Sequence, residues 1–148
     1  MAINSLAELF VRDMKRLRAE VEAYRDEKNL WVTDKAIPNS GGNLAMHLVG
    51  NLKTYIGIGL AKVPYERNRE FEFKGKGVPR QHILKEIDEA ILIVEKGILT
   101  LKNEDLLLEY PFLVWDKPKQ MGFTLFHLLG HLNYHLGQIN YHRRMLDV

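Results

Sequence analysis

The chain has 148 residues, 46% hydrophobic and 27% charged, with a formal net charge of +2 and no cysteine. That length buries a core without outside help and fits one domain spanning residues 1–148. The absence of cysteine excludes disulfides, thiolate metal sites and a catalytic thiol together, so any metal must take nitrogen or oxygen ligands.

The first apolar stretch carries Glu8, Arg12 and Asp13, which is unlike a cleaved leader. The strongest apolar run, residues 90–94, is far shorter than the ~20 residues a bilayer crossing needs. A cytoplasmic location and no membrane partner are expected. Acidic and basic residues interleave, as in RDMKRLRAEVEAYRDEK, and read as a solvated helix face. No basic stripe suited to nucleic acid is present.

Four long segments have helical periodicity. The first spans residues 4–29, where Leu6, Phe10, Met14, Leu17, Val21 and Tyr24 recur at three- and four-residue steps and Asn4 or Ser5 caps. Pro38, Gly41 and Gly42 break the chain. The second starts near Ser40, buries Leu44, His47, Leu48, Asn51, Leu52, Tyr55 and Ile56, and stops near Lys62 before Pro64. Residues 64–78 lack helical periodicity. Extended at ~3.3 Å per residue, they can run the length of a bundle. The third opens at Pro79 and continues through Ile83, Ile87, Ile91, Val94 and Ile98 to about Leu101. Residues 103–121 alternate around Trp115 and read as a short hairpin or a cap over one end. The last helix spans residues 122–145, with Thr124 as a candidate cap. The expected fold is all-α, a four-helix bundle with a long crossover between helices 2 and 3.

Four of the six histidines lie in HLLGHLNYHLGQINYH. His127, His131 and His135 are four residues apart on one helix, so each neighbouring pair shares a face with Cβ atoms ~6 Å apart. Two such imidazoles can converge on one ion with bonds of ~2.0–2.1 Å. The outer two lie ~12 Å apart along the axis, so one ion takes only one pair. A third ligand must come from another helix. His47 is on the apolar stripe of helix 2, where a metal would satisfy its buried ring. His82, in the first turn of helix 3, reads as solvent-facing. His127 and His142 read as supporting or surface residues.

The last helix resembles the signature of the DinB-like superfamily, which includes YfiT-like metalloenzymes. The shared pattern is an H-x3-H pair followed by x-Gly-Gln, here His131, His135, Gly137 and Gln138. GGNLAMHLVGNL is similar to the family's second helix and supplies His47. The resemblance covers the whole chain in helix order and length. It implies an up-down-down-up bundle, a divalent metal (zinc, nickel or iron-like) on His47, His131 and His135, and a homodimer. It also implies thiol-dependent transfer with a low-molecular-weight thiol, as in some relatives.

Three neutral histidines leave coordination positions open, the layout of a catalytic rather than a structural site. A water or thiol held there becomes a nucleophile at neutral pH. HLNYH lacks the glutamate of H-E-x-x-H, and no carboxylate shares the histidine stripe of the last helix. Asn51 and Gln138 are candidates to orient water or ligand, and Tyr55 and Tyr134 to donate a proton; each also reads as a packing residue. Gly130 and Gly137 read as allowing close helix approach. The expected function is a metal-dependent enzyme acting on a small-molecule substrate through a metal-bound nucleophile, by thiol transfer or hydrolysis. The alternative is a non-catalytic metal-binding or dimerising bundle.

Overall fold

Residues 2–148 are described in a computed structural model, and among them the chain forms five α-helices and no strand. Helix α1 (Ala2–Glu22) buries Ile3, Leu6, Phe10, Met14, Leu17 and Val21 along one stripe. Fully burying such a side chain is worth ~1.5–3 kcal/mol, more than a typical cap, so the stripe decides how α1 seats. The helix ends seven residues before the expected Asn29. The Asp147 carboxylate accepts from the backbone N–H groups of Arg25 (2.6 Å) and Asp26 (3.3 Å), and from Asn29 Nδ2 (2.9 Å). Those contacts draw the chain off the helical path, and a 3-10 turn (Glu27–Trp31) follows.

Helix α2 (Gly41–Leu52) begins at Ser40, whose hydroxyl accepts from Asn43 N–H. It continues as a π-helix (Lys53–Ala61). The turn ends at Lys62 in the left-handed conformation, φ 57°, with Val63 N–H donating to Gly57 O. The crossover is not wholly irregular. It contains a short helix, α3 (Arg69–Lys74), capped by Asn68, whose side chain accepts from Phe71 N–H. Helix α4 (Arg80–Leu99) follows Pro79, and α5 (Met121–Leu146) opens at Gln120. Thr124 is not the cap of α5; it is fully buried one turn inside the helix.

Residues 103–121 form a 3-10 turn (Asn103–Leu107) and a loop closed by one antiparallel bridge, Glu109 with Gln120. The hairpin expectation is met only to that extent. α1 packs on α4 and α5, α2 packs on α3, α4 and α5, and the π segment packs on α4. One apolar core joins all four long helices. No helix is long and apolar enough to cross a membrane.

Candidate metal centre

His47 lies near the middle of α2, on the face that meets α5. His131 and His135 occupy successive turns of α5, as their four-residue spacing requires. One ring nitrogen from each of the three lies within 4.8 Å of the others, so the cluster could hold a metal ion. The rings of His47 and His131 have centroids 5.1 Å apart, and those of His47 and His135 5.2 Å apart.

The outer partners orient the rings. His47 Nδ1 donates to Glu72 Oε1 at 3.1 Å. The Glu72 carboxylate also accepts from Arg67 Nε (2.9 Å) and Nη2 (2.9 Å), a two-pronged pair. Glu72 is 4% exposed. Burial opposes its charge, but Arg67 and His47 outweigh it and hold the carboxyl below its ordinary range. His135 Nδ1 donates to Gln138 Oε1 at 2.6 Å. Both His47 and His135 thus keep Nδ1 protonated and present Nε2 as a lone pair, the arrangement a carboxylate–histidine–metal relay needs.

The donor set fits a divalent ion that prefers nitrogen. His47 Nε2 and His131 Nε2 face each other at 3.2 Å. Two nitrogens ~2.0–2.1 Å from one ion at a tetrahedral angle would be ~3.3 Å apart. His131 Nδ1 is buried with no partner. Asn51 Oδ1, one turn beyond His47, is also buried and unpartnered. Burial depresses the His131 pKa to about 4, helped by repulsion from His135, His47, His127 and Arg67. Burial lowers His135 too, against the Gln138 bond. Both are therefore neutral near pH 7, as ligands must be.

Of the other expected residues, Gln138 and Tyr134 adjoin His135, the Tyr134 ring at 5.2 Å and 66% exposed. Tyr55 packs on Phe112 at 5.6 Å and makes no hydrogen bond to the three histidines. His127 is exposed and packs on Trp115. His82 is exposed as expected. His142 is not at the surface: it is 2% exposed, with Tyr24 Oη 2.7 Å from Nδ1 and Val32 O 2.8 Å from Nε2, and it ties α5 to the chain after α1. Gly130 and Gly137 do not admit a neighbouring helix; a Cβ at either would meet open space.

Glu72 and Arg67 were hidden in the crossover. Asn68 ahead of REFEFK, with acids in the first turn, is a helix start signal, but six residues are too few for periodicity to register. Asn43 Nδ2 donates to Glu72 O (2.9 Å) and Gly75 O (2.8 Å), fastening α3 to α2. A Cβ at Gly50 would collide with the Glu72 carboxylate, so glycine there leaves room for the carboxylate between Arg67 and His47. No family model matches the chain, and no curated protein or solved structure does either.

Proposed function

We propose that the chain is a metal-dependent enzyme of the DinB-like kind, a four-helix bundle with an up-down-down-up course and α3 set into its crossover. His47, His131 and His135 would hold a zinc, nickel or iron-like ion, metals to which imidazole is suited. The observation that carries this reading is the convergence of three ring nitrogens, one of them backed by the buried Glu72–Arg67 pair. When bound, such an ion supplies Lewis acidity that turns a thiol or a water into a nucleophile at neutral pH.

The residues around the cluster favour thiol transfer over hydrolysis. Both Glu72 oxygens are engaged by Arg67 and His47, so neither is free to take a proton from substrate. No other carboxylate hydrogen-bonds the three histidines among the described residues. A thiol, at pKa ~8.5, needs little help to ionise beside a cation, whereas water needs far more. Phe73 packs on His47 at 4.7 Å, and Tyr134 lies against His135 at 5.2 Å. A homodimer belongs to the same reading. The exposed rings of Phe126, Tyr134 and Tyr141 on α5, beside open Gly130 and Gly137, support it.

The first test is metal analysis of protein purified without a histidine tag. About one equivalent is expected for wild type, and far less for His131→Ala and His135→Ala. Wild type holding under roughly a tenth of an equivalent at near-neutral pH would end the proposal, given the affinities such sites reach. A low-molecular-weight thiol with a chloronitrobenzene then tests turnover, where equal rates for wild type and His135→Ala would leave the non-catalytic alternative.

A further inference from the structure

Beside the candidate metal centre, α5 and the loop before it border an open cleft of about 380 Å³, lined by Trp115, Asp116, Lys117, Lys119, Phe123 and His127. Its floor is aromatic. Trp115 meets His127 edge-on at 4.6 Å and Phe123 at 5.4 Å. Its rim is cationic. Lys119 Nζ lies 5.2 Å from the Phe123 ring centroid. Neither Lys117 nor Lys119 forms an ion pair with a protein carboxylate among the described residues, Asp116 included. Of the other lysines that line grooves, Lys53 pairs with Glu86 and Glu89, Lys74 pairs with Glu70, and Lys76 donates to Asn43 Oδ1. The cleft adjoins the centre: His127, on its lining, sits one turn before His131, with ring centroids 6.4 Å apart and planes 19° apart.

We propose that this cleft is the substrate subsite, and that it takes a small molecule with a singly charged anionic group, such as a carboxylate, on a planar apolar body. The anion sits between Lys117 and Lys119, the plane lies on Trp115, and the reactive end passes His127 towards His131. The cleft combines a few convergent polar groups with an aromatic wall, the composition of small-molecule sites. Asp116 on the same rim disfavours doubly anionic ligands and cannot neutralise both lysines. The assignment of the reacting end rests on the metal reading above; the anion preference does not.

Calorimetric titration with 2-naphthoate, 2-naphthylmethanol and 2-naphthylmethylamine tests it, in chelator-treated and metal-loaded protein. These probes share one ring system and differ in charge. In both forms, naphthoate should bind about tenfold more tightly than the alcohol, the worth of two exposed ion contacts, and the amine most weakly. Lys117→Gln with Lys119→Gln should level the three, and Trp115→Ala should weaken all of them. Neither change should alter metal stoichiometry. The proposal is overturned if wild type binds the three probes equally or not at all, or if the double glutamine variant keeps the preference for naphthoate. Loss of ion binding with the naphthoate preference intact would support the cleft while removing the metal reading.

Discussion

The Glu72 carboxylate is shared between Arg67 and His47, so one buried charge orients a ring on α2 and holds a guanidinium in the crossover. Replacing it by glutamine keeps the shape and removes the charge. Glu72→Gln should weaken metal binding ~10–100-fold, read by competition with a chromogenic chelator. A change of less than about twofold would mean that Glu72 serves α3 alone. His131 gives a second prediction, for metal-free protein. Free imidazole titrates at ~6.5 and His131 in the fold at about 4. Between those values the unfolded chain binds a proton that the folded chain refuses. Stability is therefore full above ~6.5 and falls as pH drops towards 4. His135, lowered in the same sense, adds to the loss. Urea unfolding at several pH values should record that slope, and His131→Gln should flatten it. An unchanged slope would refute the buried neutral ring.

At the level of elements, what could be foreseen depended on length. α1, α2, α4 and α5 each repeat an apolar stripe often enough for the sequence to announce them, and the H-x3-H spacing on α5 carries straight through to two converging rings. α3 shows its stripe for barely a turn and a half, so the residues that orient His47 looked like linker. The π-helix at Lys53–Ala61 has no local signature, since its wider turn answers to packing against α4. The end of α1 is hidden from the sequence for a similar reason. Periodicity reaches Tyr24, but what stops the helix is a carboxylate more than a hundred positions away. That clamp is testable. Asp147→Ala removes the acceptor of three bonds and strands the N–H groups of Arg25 and Asp26. A loss of about 2–3 kcal/mol is expected, or a Tm lower by ~4–12 °C, measured by calorimetry. A Tm within a degree of wild type would show that water serves those groups equally well.

Across the whole molecule, ligation of an ion by α2 and α5 would link two long helices that the core already presses together. An ion bound only by the folded chain stabilises it by mass action, by ~2.7 kcal/mol at a hundred times Kd. For a chain of this length that is about 5–11 °C in Tm. Zinc or nickel should raise Tm by that amount, EDTA should reverse it, and His47→Ala should abolish it. A metal-induced rise that survives in His47→Ala would place the ion elsewhere.

The separation of 84 positions between His47 and His131 also sets a timetable. At ~5–20 residues per second, a ribosome delivers the second ring roughly 4–17 s after the first. A nascent chain passing through the cell's pool of ions therefore offers a single imidazole beside Glu72, too little to retain one. Any ion held by the three rings would therefore be taken up by the completed protein, after release.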